Sequence, residues 1–239
     1  MPRGERTIDA VLFDLGGTLI DNYDVTHWAE LAQRCFVTVD EEELAHAVAD
    51  VERETDVPHA VPRDEWTVPD FWQAILSRAA GRAIDVATTE RFLALARAEP
   101  GSHRLYSDSR RCLEELRDQG RRLGIVSNSS SEARVRTILD GAGVLSFFER
   151  VVSSGSEGVA KPDPEIFRRA LARMHVPAHR ALYVGNLAFT DARAARAAGL
   201  HAVWLNRAGT GMGSDPPEIT SLLEVPLCVR RLENGQQLS

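Results

Sequence analysis

The sequence predicts an α/β protein: a doubly wound parallel sheet with an all-helical segment inserted behind its first strand. Three observations carry this. From Ser107 to Asn206, short apolar runs alternate with amphipathic helical stretches, as in strand–helix–strand units. Between about residues 21 and 104 the alternation stops, and the apolar repeats have helical spacing instead. The residues able to do chemistry fall where the strands end.

The first strand, "DAVLFD", is a continuous apolar run of the kind buried on both faces of a parallel sheet. The inserted segment, 21–104, holds four helical stretches: "VTHWAELAQRCF", "DEEELAHAVADVERE", "DFWQAILSRAAG" and "TTERFLALARAEP". Pro58, Pro62 and Pro69 punctuate its connectors. Its tryptophans, Trp28, Trp66 and Trp72, are read as packing residues. Residues 1–20 and 105–239 make the sheet domain. There, "SDSRRCLEELRDQG" is a helix stopped by Gly120, and "RLGIVSN" is a strand. "SSSEARVRTILDGAG" is a helix with capping-box spacing between Ser129 and Glu132, and Gly141 is its stop. "ERVVSS" is a strand, and "DPEIFRRALARM" is a helix with Asp163 as N-cap and Pro164 in its first turn. "ALYVGN" is a strand, "FTDARAARAAG" a helix of small residues ending at Gly199, and "HAVWLN" a strand. After a Gly/Pro-rich loop, "ITSLLEVPLCVRRL" makes one more helix or an edge element.

The 239 residues have room for one sizeable α/β domain with an insert. A net charge of −7 argues against nucleic acid or an anionic membrane surface as partner. No apolar run approaches the ~20 residues of a membrane span. The charged start, "MPRGERTIDAVLF", does not read as a signal peptide. The expectation is a cytoplasmic monomer or homodimer acting on a small molecule. Cys35, Cys112 and Cys228 have no metal or redox spacing and are expected as reduced thiols. His175 and His179 are separated by Pro177, which spoils a helical metal pair. "GTGMGSD" runs into Pro-Pro instead of opening a helix, so it is read as an ordinary loop.

Four strand ends supply the candidate site. Asp14 ends the first strand and Thr18 lies in the Gly-Gly-Thr loop behind it; Ser127 and Asn128 end the second. Lys161 follows the third, and Asn186 and Asp191 follow the fourth. Lys161 is the only lysine in a chain that otherwise uses arginine, which argues for a compact point charge at that place.

Strand-ending Asp14, strand-ending Ser127, the Lys161-Pro162 loop and the Gly185-Asn186-x4-Asp191 turn, in that order, resemble the haloacid dehalogenase (HAD) superfamily over the whole chain. The helical insertion resembles the cap of one large subgroup, and the remainder its Rossmannoid core. The resemblance implies a hydrolase, usually a phosphatase, that forms a covalent aspartyl intermediate at Asp14. It implies that Ser127 hydrogen-bonds a phosphoryl oxygen, with Thr18 and Asn128 helping to bind substrate. Lys161 would pair with that anion and with Asp14. Mg²⁺ would be held by Asp14, the carbonyl of Gly16, Asn186 and Asp191. Asp191 is read equally as an N-cap of the helix behind it, and Asn186 also as a turn residue.

Two positions depart from the phosphatase pattern. Gly16 stands where the resemblance places a general acid–base, a group typically worth about 10²–10⁴-fold or roughly 3–5 kcal/mol. Asn186 stands where it places an aspartate, so Mg²⁺ binding is expected to be weak. Asp21, Tyr23, Asp24 and His27 follow the loop and are the candidate replacement acids. Arg34 is the weak candidate for a substrate-anchoring arginine of the dehalogenase subgroup. Schiff-base chemistry needs a second lysine, which the chain lacks. Three functions follow: a phosphatase with weakened acid–base and metal sites, a metal-independent dehalogenase-like hydrolase, or a degenerate member that only binds.

Overall fold

A computed structural model describes residues 8–21, 24–56, 69–99, 103–209 and 215–238. The chain divides into two compact units, Met1–Asp21 with Arg104–Ser239, and Asn22–His103.

The larger unit is built on a parallel sheet. Its elements begin with β1 (Ala10–Phe13), β2 (Ile20–Asp21), β3 (Arg104–Leu105), α5 (Ser109–Asp118), β4 (Arg122–Ser127) and α6 (Glu132–Gly141). They continue with β5 (Phe148–Ser153), α7 (Ser154–Glu157), α8 (Pro164–Met174), β6 (Ala181–Gly185), α9 (Ala194–Ala197), β7 (His201–Leu205), β8 (Glu218–Ile219) and α10 (Val225–Glu233). The smaller unit holds α1 (Val25–Arg34), α2 (Glu41–Thr55), α3 (Pro69–Ala79) and α4 (Val86–Ala98). The main sheet runs β5-β4-β1-β6-β7-β8 with every pair parallel, and β2 pairs antiparallel with β3.

Period-two alternation divides each central strand between two cores. Val11 and Phe13 of β1 pack with Ile125, Leu182, Val184 and Val203 on one face. Ala10 and Leu12 pack with Val126, Tyr183, Ile166 and Phe167 on the other. Burial on both faces is why these strands read as unbroken apolar runs. The sheet order places β1 between β4 and β6, so the carboxyl ends of those three strands lie side by side.

The helix boundaries refine the expectations in three places. The N-cap of α6 is Ser131, whose hydroxyl accepts from Arg134 N–H, and not Ser129. Residues Ala188–Arg193 wind as a wide π turn before α9, so Asp191 lies inside the helical path rather than capping it. The tail supplies both alternatives, edge strand β8 and helix α10. Asp163 does cap α8, with Pro164 in the first turn. Cys35, Cys112 and Cys228 are buried free thiols. Most of "GTGMGSD", with Trp66, Pro58, Pro62 and Tyr23, lies outside the described residues.

The helical unit has its own core. Trp28, Trp72 and Phe92 are each at most 1% exposed and stack in tilted geometry with ring centroids 5.3–5.8 Å apart. Arg34 is tied to Glu99 by a two-point ion pair of 2.6 and 2.8 Å, which occupies the guanidinium proposed as a substrate anchor. Asp24 caps α1 through His27 N–H, and the His27 ring meets the Glu99 carbonyl at 2.7 Å. Both are thus engaged in holding the helices.

Trp72 is the central ring of this cluster. Trp72→Ala should destabilise the helical unit by about 3–5 kcal/mol through lost transfer energy and a cavity. Urea denaturation followed by far-UV circular dichroism measures it; a cost below about 1 kcal/mol would show that the ring is not a core residue.

Candidate active site

Every group of the candidate site is delivered by a strand end or the loop behind it. The Asp14 N–H bonds the Val184 carbonyl at 2.9 Å, which continues the β1–β6 ladder one residue and fixes the base of its side chain. Behind it the chain turns through Gly17 at φ +73°, with Gly17 N–H bonded to the Ile20 carbonyl at 2.8 Å. Gly16 makes an isolated bridge with Ile20. A Cβ on Gly17 would stand 2.4 Å from Asn186 Nδ2, so both the left-handed backbone and the close approach require glycine.

The geometric centre is Lys161. Its Nζ lies 2.6 Å from Asp14 Oδ1, 2.6 Å from Asp191 Oδ1 and 3.1 Å from the Tyr183 hydroxyl. An ammonium has three N–H donors, and these three partners use them all. The side chains of Lys161, Asp14 and Asp191 are 3%, 10% and 1% exposed, so the ion pairs are shielded from water. Asn128 fixes the backbone beneath Lys161: its Nδ2 donates to the Lys161 carbonyl at 2.9 Å, and its Oδ1 accepts the Lys161 N–H at 2.8 Å. One Nδ2 hydrogen and the Oδ1 are thus engaged by the main chain, and the amide places the lysine.

Asp191 is equally committed. Oδ1 takes Lys161 and the Tyr183 hydroxyl at 3.1 Å, and Oδ2 takes Leu187 N–H at 3.0 Å. Gly185 allows this approach, since a Cβ there would stand 2.4 Å from the Asp191 carboxyl. Both oxygens are hydrogen-bonded and the residue is fully buried inside the π turn, so it is not a helix cap. It is the second counter-ion of Lys161.

Asp14 Oδ2 faces a different partner. The Thr18 hydroxyl lies 3.3 Å from it and 3.4 Å from Asn186 Oδ1, and its single proton serves one oxygen at a time. Asn186 itself is held by Trp204, whose Nε1 donates to its carbonyl at 2.9 Å. Ser127 ends β4 next to β1 and is 7% exposed. Thus Asp14, Thr18, Lys161, Asn128, Asn186 and Asp191 are linked by hydrogen bonds, while Ser127 shares their sheet edge.

The electrostatics follow from burial and charge. Burial, the largest influence, pushes Asp14 up to about 6; Lys161 opposes this and Asp191 adds to it. For Lys161, burial works against the charge, but the two carboxylates outweigh it and hold the ammonium above the ordinary lysine range. Burial and then the neighbouring anions push the Tyr183 phenol well up, so it stays protonated as a donor. Sequence reading missed Tyr183 because a tyrosine in an apolar strand reads as core. Its one signal was a hydroxyl at a position otherwise suited to an aliphatic residue.

Oxygen ligands of the kind Mg²⁺ takes are present. Asp14 Oδ2 and Asn186 Oδ1 converge on the same hydroxyl, and Gly16 offers a carbonyl. Only one of these is anionic. Among the described residues no group of three or more His, Cys, Asp or Glu side chains could hold a metal. The donor set fits Mg²⁺ in kind and falls short in charge.

Fold and site together define a doubly wound α/β protein with a buried carboxylate–ammonium–carboxylate set at the sheet's carboxyl edge. Residues 8–199 match the haloacid dehalogenase-like hydrolase family model, and the chain belongs to that family. It is 31% identical over 209 residues to glyceraldehyde 3-phosphate phosphatase of Pyrococcus abyssi, covering 82% of this chain and 81% of that one. It is 37% identical over 121 residues to phosphoserine phosphatase of Thermus thermophilus, covering 51% and 47%. It is 31% identical over 122 residues to (S)-2-haloacid dehalogenase 2 of a Pseudomonas strain, covering 50% and 52%. The matches to the latter two span about half the length of each protein. The fold is shared with the L-2-haloacid dehalogenase RSc1362 at TM-score 0.67 and 23% identity, over 94% of this chain and 99% of that one. It is also shared with the magnesium-bound HAD-hydrolase YfnB of Bacillus subtilis at TM-score 0.66 and 22% identity, over 94% and 99%.

Two outcomes are expected from this geometry. Lys161→Met leaves Asp14 and Asp191 facing each other without a cation and should cost about 3–5 kcal/mol in urea unfolding. A loss below about 1 kcal/mol would mean that the ion pairs do not hold the edge together. In metal-free buffer, the Asp14 carboxyl should release its proton as pH rises through about 6. A ¹³C carboxyl titration, assigned by loss of the signal in Asp14→Asn, reads this. A midpoint in the ordinary aspartate range would show that Lys161 outweighs burial.

Proposed function

We propose that the chain hydrolyses small phosphate monoesters through a covalent intermediate on Asp14. The observation that carries this is the unequal use of the two Asp14 oxygens. Oδ1 is fixed by Lys161, while Oδ2 lies outside the ion pair, beside the Thr18 hydroxyl. In this reading Oδ2 attacks phosphorus, the bond from phosphorus to the ester oxygen breaks, and the alcohol leaves as an alkoxide or aryloxide that takes a proton from solvent. Water then attacks the same phosphorus, the phosphorus–Asp14 bond breaks, and inorganic phosphate is released with the carboxylate restored.

The remaining residues have roles set by their chemistry. Ser127 donates to a phosphoryl oxygen. Lys161 stabilises the anion, but its N–H bonds are already filled, so an arriving oxygen must exchange with one of them. The Tyr183 hydroxyl is the neutral partner and the least costly to release. Asn128 keeps Lys161 in place during that exchange. Asp14, Asn186 and the Gly16 carbonyl would hold Mg²⁺, which when bound shields the approach of carboxylate to phosphate. With glycine at position 16, protonation of the leaving group falls to solvent, so rate should track leaving-group ability. The relatives named as phosphatases of phosphoserine and glyceraldehyde 3-phosphate support a small phosphorylated metabolite as the substrate class.

A second reading is favoured by Asn186, which leaves the site one anionic oxygen for a cation. Metal-free attack of Asp14 on carbon, with loss of a halide, suits a site without a general acid because a halide needs no proton to leave. The relative named as a 2-haloacid dehalogenase fits that reading.

A panel of aryl phosphates, alkyl phosphates and 2-haloacids, each with Mg²⁺ or EDTA, decides between them. Aryl phosphates should turn over faster than alkyl phosphates by at least the roughly 10²-fold expected of a missing acid. Asp14→Asn should lower kcat by roughly 10³-fold or more. Faster turnover of alkyl esters, or an active Asp14→Asn, would overturn the phosphatase reading; haloacid turnover unaffected by EDTA would install the second.

A further inference from the structure

The Gly16–Ile20 loop is held by a residue from the end of β7, two strands from β1, that the cluster around Lys161 does not include. Arg207 follows β7. Its Nη2 donates to the Thr18 carbonyl at 2.8 Å, and its Nη1 and Nη2 each lie 3.0 Å from an oxygen of Asp108. The guanidinium plane lies over the Tyr106 ring, 3.8 Å from the centroid. We propose that Arg207 is a positioning residue for the nucleophile, acting through the Thr18 backbone on the hydroxyl that faces Asp14 Oδ2. This rests on the reading of Asp14 as nucleophile.

Arg207 is itself held on both sides. Asp108 has a second set of partners: the Ser221 hydroxyl at 2.9 Å and Leu222 N–H at 3.0 Å. Burial raises the Asp108 carboxyl, but the Arg207 bonds, with Leu222 N–H and the Ser221 hydroxyl, outweigh it and hold the group below the usual carboxylate range. Tyr106 does two things at once. Its ring backs the guanidinium, and its N–H bonds the Leu19 carbonyl at 3.1 Å, next along the loop. Ser109 Oγ also donates to that carbonyl, at 2.8 Å. The carbonyls of Thr18 and Leu19 are therefore both tied down, and the Thr18 side chain is the part left to act on the site.

The long hydrogen bonds of Thr18, 3.3 Å to Asp14 and 3.4 Å to Asn186, make its placement sensitive. A shift of a few tenths of an ångström takes the hydroxyl out of range of one or both oxygens. The planar guanidinium meets both Asp108 oxygens in parallel while a further N–H reaches the Thr18 carbonyl, a fixed fork that the point charge of a lysine does not reproduce.

Steady-state hydrolysis of p-nitrophenyl phosphate by the full chain tests this, using Arg207→Ala and Arg207→Lys with and without guanidinium at sub-denaturing concentration. Arg207→Ala should lower kcat about 10–100-fold, with KM changed less than about threefold. Added guanidinium should restore much of the loss, which a merely structural role would not allow. Arg207→Lys keeps a cation against Asp108 and guards against loss of the fold. It should melt near the parent temperature and still lose kcat. A kcat within about twofold of the parent in either folded variant, or a loss that guanidinium leaves unchanged, overturns the proposal. If the parent itself turns over no ester, the Asp14 reading fails separately. The clamp is then judged by the Thr18 methyl resonance, which should shift in Arg207→Ala and return with guanidinium; an unmoved resonance overturns it.

Discussion

The ammonium of Lys161 is the constraint on which the sheet edge depends. Two carboxylates within 2.6 Å of one nitrogen, all nearly excluded from water, are tolerable only as a set. Burying any one of these charges without the others would carry a large desolvation cost. Each partner is therefore fixed from behind. Asn128 holds the lysine backbone, Leu187 N–H and Tyr183 hold Asp191, and the ladder to Val184 holds Asp14. Close backbone approach at Gly17 and Gly185 supplies the room. Each charged group thus has several partners, which holds the arrangement in place.

Much of this was legible in the sequence, because the fold signal and the site signal coincide. Unbroken apolar runs such as "AVLF" marked strands buried on both faces, and each run ended in a residue with chemistry to offer. A single lysine in an arginine-using chain stood out by composition alone. What stayed hidden was the direction of each side chain. Asn128 and Asp191 were read as facing a ligand, because their positions beside Ser127 and Asn186 suggest it. Their polar atoms also bond Lys161 and the backbone, contacts that spacing along a chain does not reveal. Tyr183 and Arg207 were missed for the complementary reason. One sits in an apolar run and the other in a loop rich in small residues, and each gains its meaning only from partners distant in sequence, Lys161 and Asp108.

The site has an amide at Asn186 where the family resemblance places a further carboxylate, and this changes the electrostatic problem. Two carboxylates and one ammonium leave one net negative charge at the edge. An aspartate in place of Asn186 would bring a third carboxylate close to Asp14 Oδ2, since both positions already reach the same Thr18 hydroxyl. Like charges at that separation favour protonation of one of them unless a cation intervenes. A neutral amide removes that repulsion. For the proposed Mg²⁺ site, the same step would lower both the affinity for a divalent ion and the repulsion that such an ion would offset.

That balance links the two departures. Under the proposed mechanism, a leaving group would depart on its own stability, since no acid stands at position 16, and the nucleophile would depend less on a metal, since no anion stands at position 186. Both changes take negative charge out of the edge, and both would move the burden of catalysis onto the orientation of Asp14 Oδ2 and the ammonium beside it. Orientation is a property of the surrounding framework, so under that mechanism the hydrogen bonds that fix the Gly16–Ile20 loop would carry more of the chemistry than they would beside a full set of acids. The loop's carbonyls are accordingly held by Arg207, Tyr106 and Ser109, three residues outside the motif that marks the loop in the sequence.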